Sequence, residues 1–124
     1  MDLSIVSEHG ISFVEGVQGQ SFMSRVDDAN RLIEACFSND VRLALLYGEN
    51  LTKKFFDLSS GEAGAVLQKL RNYGVRLAVV CPGGSVPFSS RFSEMVAEER
   101  LRQHFGVFDT RDAARDWLAR LGAR

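Results

Sequence analysis

Histidine, cysteine and proline are scarce in this chain, two of each among 124 residues. Cys36 and Cys81 stand apart, in no Cys-x-x-Cys spacing, which argues against a disulfide framework and a thiolate metal site. Two reduced thiols are the economical expectation. His9 and His104 have no ligand company, so neither a structural metal nor a cofactor is expected. Long apolar runs are missing too. The longest, LALLY and LAVVC, are far too short to span a bilayer. The start, MDLSIVSEHG, has no basic segment ahead of an apolar stretch, so no export signal is expected and the cytoplasm is the expected location. No linker, repeat or low-complexity stretch intervenes, and a single domain over residues 1–124 follows. Neither sign of charge dominates. A formal net charge of −1 argues against a protein held on nucleic acid mainly by phosphate contacts.

What is present is ordinary for a globular chain: 45% hydrophobic and 25% charged residues. The charge is uneven along the chain. Residues 1–62 carry ten acidic and five basic side chains, residues 63–124 six and ten. An arginine-rich solvated helical surface accounts for the second half, since long arginine stems cover helix faces routinely.

Periodicity places the elements. LSIVSE and ISFVEGV flank a tight turn at His9-Gly10 and read as a hairpin. SRVDDANRLIEACFSND turns helical, with Val26, Ala29, Ile33 and Phe37 on one face and Ser24 with Asp27 as a capping pair. VRLALLYG is a continuous apolar run, as in a strand covered on both faces. In FFDLSSGEAGAVLQKL, residues Ala63, Val66, Leu67 and Leu70 make an amphipathic helix that ends near Asn72, with Gly74 beyond its end. VRLAVVC is a second buried strand, stopped by PGG. FSSRFSEMVAEERLRQ is helical with Phe92, Met95 and Val96 inward, FGVFD is a short strand, and TRDAARDWLARLG closes as a helix with Ala114, Trp117, Leu118 and Leu121 inward. The order ββαβαβαβα means an α/β fold, a mixed but mostly parallel sheet flanked by helices.

That order resembles the STAS domain, the fold of sulfate transporters and anti-sigma-factor antagonists. In that family a strand leads through a loop into an Asp-Ser-Ser-Gly motif that opens a helix. Here Asp57 is followed by Leu58 and then by Ser59-Ser60-Gly61, the motif with one residue inserted. FFDLSSGEAGAVLQK, with RNYGVRLAVV after it, is similar to a small bacterial family known as domain of unknown function 4180, over about Val26 to Leu118. Glu98-Glu99-Arg100 stands where that family has Glu-Ser-Asn. The STAS resemblance implies a serine at the helix start that a partner kinase phosphorylates to switch binding. A helix N-terminus accommodates a phosphate on its free N–H groups. Against this stands a simpler role: Ser59 and Glu62 match a Ser-x-x-Glu capping box, which explains both without modification.

The remaining chemical candidates are weaker. Cys81 ends a buried strand, where open α/β sheets bind ligands, but His104 is the one downstream base and nothing ties the two together; a buried thiol is commonly a small hydrophobe. Gly83-Gly84-Ser85 is glycine-rich without the Lys-Ser/Thr ending of a phosphate-binding loop. Asp27 and Asp28 belong to a helix first turn, where acids favour the dipole, and Phe55-Phe56 packs a loop onto the core. The leading expectation is a non-enzymatic regulatory or protein-interaction domain. Its surface is Asp57, Ser59, Ser60, Gly61 and Glu62 with the loop from Gly83, Gly84 and Ser85 to Ser90. The second is a small-molecule or anion-binding domain using the same helix N-terminus and strand ends, and an enzyme built on Cys81 is third. The expected partner is a protein, a second copy of the chain included, rather than nucleic acid or a membrane.

Overall fold

Two residues with positive φ, His9 (52°) and Gly10 (81°), make the two-residue turn that lets β1 (Leu3–Glu8) fold back on β2 (Ile11–Gly16). The register runs without a bulge from Glu8↔Ile11 to Leu3↔Gly16. The computed structural model describes residues 3–23, 25–57, 60–83 and 88–122. After the hairpin come a 3-10 turn at Val26–Asp28, α1 (Ala29–Ser38), β3 (Leu43–Tyr47) and two further 3-10 turns, Gly48–Asn50 and Lys53–Phe56. Then follow α2 (Glu62–Asn72), β4 (Arg76–Val80), α3 (Ser90–Leu101), β5 (Phe105–Phe108) and α4 (Arg111–Gly122). The expected ββαβαβαβα order is therefore the observed one.

The strands lie in one sheet in chain order, β1-β2-β3-β4-β5, antiparallel at β1–β2 and parallel from β2 onward. Right-handed crossovers between successive neighbours must all place their helices on the same face. Accordingly, α1, α2 and α3 bury Leu32, Leu70, Phe92 and their neighbours against Val14, Ala44, Leu46, Leu77 and Val79. Only α4, which follows the last strand, reaches the other face, where Ala114, Trp117, Leu118 and Leu121 cover Phe13, Leu45, Ala78 and Val80. Alternate residues of β3 and β4 thus enter separate cores, which is why both strands read as unbroken apolar runs.

Two local expectations change. Phe37 is 43% exposed instead of inward, because α1 begins only at Ala29; the buried stripe is Ala29, Leu32, Ile33 and Cys36. The cap before it also shifts: Arg25 N–H donates to Asp28 Oδ2 (3.2 Å), while Ser24 lies outside the described residues. Gly74 does sit in the left-handed region (φ 70°), with Val75 N–H on the Leu70 carbonyl (2.9 Å), closing α2 as its sequence indicates.

Candidate functional site

The turn between Lys53–Phe56 and α2 is built from Thr52 outward. Thr52 Oγ1 accepts the Phe55 N–H (3.3 Å) and donates to Glu62 Oε1. Glu62 is the first residue of α2 and Gly61 its N-cap, in a left-handed conformation (φ 78°) that favours glycine. Of the expected Ser59–Glu62 capping box, only Glu62 is among the described residues: it occupies the first helical position, not the third, and its carboxylate is bound to Thr52. Ser59 and Leu58 lie outside the described residues. The capping work falls to Ser60. Its Oγ accepts the Glu62 N–H (3.2 Å), while its own proton is shared between the carbonyls of Lys54 (2.6 Å) and Asp57 (2.8 Å). Ser60 is nonetheless exposed, as are Asp57 and Gly61.

The second predicted segment lies alongside. Phe56, next to Asp57, stacks on Phe88 at 5.6 Å between ring centroids, and both rings meet Phe92 of α3. Phe55 continues the cluster edge-on to Phe92 and Phe105. Phe55 and Phe56 are buried, as the loop-to-core role requires, and Phe88 keeps 37% of its surface exposed. The contact between Phe56 and Phe88 brings the residue before Asp57 up to the segment that follows β4, and Gly83 and Phe88 line one cleft. Gly84 and Ser85 lie outside the described residues.

That cleft, of about 740 Å³, runs between α3 and the start of α4. Cys81, Phe88, Val96, Arg100, Phe108 and Thr110 are among its lining residues. Arg100 lies 4.8 Å over the Phe108 ring. Burial, with the Glu49 charge adding to it, pushes the Cys81 thiol up to about 11, and burial does the same to Cys36. Cys81 and His104 are at opposite ends of the β4–β5 pair: Leu77 N–H meets the His104 carbonyl at one end and Cys81 N–H the Phe108 carbonyl at the other. Four residues of strand, roughly 13 Å, separate them. They form no nucleophile–base pair.

Two constellations escaped the sequence reading. On the α4 face, Arg111 binds Glu15 through Nε (2.8 Å) and Nη2 (3.0 Å), and Glu8 through Nη1 (3.1 Å) and Nη2 (2.8 Å). Tyr47 donates its hydroxyl to the same Glu15 carboxylate. Arg115, one turn on, faces Glu8 (3.5 Å), Asp112 (3.2 Å) and Asp116 (3.2 Å). The Arg111 hydrogen bond holds Glu8 below its ordinary value. Burial raises Glu15, but hydrogen bonds from Arg111 and Tyr47 outweigh it and the net shift is down. Burial and the Glu15 hydrogen bond lift Tyr47 to about 12. On the other face, fully buried Asn50 accepts Tyr47 N–H (2.7 Å) and donates to the carbonyls of Val17 (2.8 Å) and Gln20 (2.7 Å). The bonds of the Asn50 side chain all go to backbone groups, whereas in the arginine cluster Arg115 Nε is buried without a hydrogen-bond partner among the described residues.

Among the described residues no group of three or more His, Cys, Asp or Glu side chains is placed to hold a metal ion, and no helix is long and apolar enough to cross a membrane. The family model described as domain of unknown function (DUF4180) matches residues 8–118. No curated protein and no solved structure matches the chain.

Proposed function

The chain belongs to the family of domain of unknown function 4180, and from the site above we propose that it is a non-enzymatic regulatory domain that binds another protein. It would act in the bacterial cytoplasm, in the manner of the STAS domains its element order resembles. The observation that carries this reading is Ser60, an exposed hydroxyl fixed at the start of α2 on the turn that follows Phe56, whose ring stacks on the half-exposed Phe88. A protein-binding surface needs an apolar anchor, here Phe88, and a regulated one needs a group whose charge can change. Phosphorylation of Ser60 would remove its donation to the Lys54 and Asp57 carbonyls. It would also set a dianion at a helix N-terminus near Lys53 and Lys54, altering both the shape and the charge of the turn. The raised thiols of Cys36 and Cys81 fit a reduced, unreactive role.

The test is mass spectrometry of protein isolated from its own host, read on the peptide Phe55–Lys69, with capture of host partners by wild type, Ser60→Asp and Phe88→Ser. Phosphate on that peptide and loss of one captured protein from both variants are the expected results. Identical capture by all three, with no phosphate, would sink the reading. The cleft favours a second one, a small-molecule or anion site at the same strand ends, and native mass spectrometry of the same material would reveal a retained ligand. The sheet supports this less well, since parallel strands added in chain order leave no reversal point of the kind that houses ligands in doubly wound sheets.

A further inference from the structure

The hairpin leaves one side of β1 unused. In a two-residue hairpin the pair next to the turn exchanges both backbone hydrogen bonds, and the pattern alternates from there. Glu8, Val6 and Ser4 therefore spend their N–H and C=O groups on β2, while those of Leu3, Ile5 and Ser7 point away from the sheet. β1 is an edge strand, and among the described residues no backbone hydrogen bond from outside the hairpin reaches these three. The edge carries none of the features that usually block pairing, neither proline, lysine nor bulge. Its α1 side is open as well: a groove of about 770 Å³ runs between α1 and β1, with Leu3, Ile5 and Val14 as its apolar lining and Arg31, Glu34 and Ser38 on the α1 side. Ile5 is 43% exposed there.

We infer that β1 is the contact through which two copies of this chain associate, paired antiparallel about a twofold axis through Ile5. The outward groups are symmetric about that residue. Ile5 meets Ile5 of the second copy as a hydrogen-bonded pair, and each Leu3 meets a Ser7, giving on the order of six new backbone hydrogen bonds. Charge permits this self-contact. From Leu3 to Ser7 the edge has no formal charge, so these five residues of identical edges meet without like-charge repulsion, and Glu8 just beyond them is held by Arg111 and Arg115. The two Ile5 side chains fall on the α1 side and fill the groove from both copies. The twofold also closes the assembly, whereas β1 against the β5 edge would propagate. An edge about 20 Å long buries roughly 400–500 Å² per copy, below the ~800 Å² of a standard interface, so the dimer is reversible and concentration-dependent.

Sedimentation of the full chain over a wide concentration range should show monomer giving way to dimer. Ile5→Pro removes an outward N–H and leaves the bonds to β2 in place, so it should stay monomeric with unchanged circular dichroism. A cysteine trap tests the register independently of that fold. The Cα atoms of the two Ile5 residues would lie about 5.5 Å apart, within disulfide reach, and those of Val6 roughly 8 Å apart, beyond it. Mild oxidation should therefore link Ile5→Cys into a covalent dimer and leave Val6→Cys unlinked, with Cys36 and Cys81 shielded by burial. Wild type that sediments as monomer at every concentration, or equal linking at positions 5 and 6, would overturn the inference.

Discussion

Asn50 shows how much one polar side chain organises. Its amide satisfies Tyr47, Val17 and Gln20, and its own carbonyl takes the N–H groups of Phe22 (3.3 Å) and Met23 (2.8 Å). The loop from β2 to α1 is thereby pinned to the end of β3. Gly16 is part of the same arrangement, since a Cβ there would come within 2.4 Å of Asn50 Oδ1. Asn50→Ala would orphan one buried N–H and two carbonyls, and should cost on the order of 3 kcal/mol in chemical denaturation. Gly16→Ala should be destabilising by displacing the amide, and combining the two changes should cost less than their sum, because the second removes what the first disturbs. A midpoint for Asn50→Ala equal to wild type would refute the clasp.

Among the elements, the helices that lead back into the sheet end alike. Val41 N–H bonds to Cys36, Val75 to Leu70 and His104 to Glu99, each across a residue with positive φ: Asp40, Gly74 and Gln103. Only the middle one is glycine, and only there does the residue type announce the turn. Nothing lies within 4 Å of a Cβ added at Gly74, so Gly74→Ala isolates the backbone cost, expected at about 1–2 kcal/mol. Thermal unfolding measures it. At the opposite end of α2, Ser60→Ala removes the acceptor of the Glu62 N–H and should cost about 1 kcal/mol. The Ser-x-x-Glu spacing did not identify the partner of Glu62, because the pattern is indifferent to whether that carboxylate turns back to a serine or across to Thr52. Phe37 misled for a related reason: a helical face counted from Val26 rotates out of phase once the first turn is 3-10.

Across the whole molecule, chain order was legible and long-range pairing was not. Apolar runs and helical stripes report burial, which is local, so every strand and helix could be placed. Arg111 and Glu15 are 96 residues apart and no pattern links them. Two signals were nevertheless there. Glu15 is in phase with Ile11 and Phe13 on a buried strand face, and Arg111 is a cation in a helix first turn, where the dipole opposes it; each needed a partner. The network predicts an acid limb. Glu8 and Glu15 have lowered values in the folded chain, so their contribution is present above the ordinary carboxylate range and is lost as pH falls through the lowered values. Wild type should lose stability below about pH 4.5. Arg111→Gln should be less stable at neutral pH and lose less on acidification. Parallel pH–stability curves for the two proteins would contradict this.

Among the described residues α4 is the one helix that covers the second face of the sheet, and its Arg111 reaches Glu8 of the first strand, 103 residues back. On a ribosome the strands can join the sheet one after another as they emerge, each with its helix already on the same side. Until α4 leaves the exit tunnel, however, Phe13, Leu45, Ala78 and Val80 have no cover. A nascent chain halted after Asp109 should therefore bind a hydrophobic dye and yield to protease within the hairpin, and extension until α4 clears the tunnel should end both. Protection of the hairpin is thus deferred until α4 has emerged and docked.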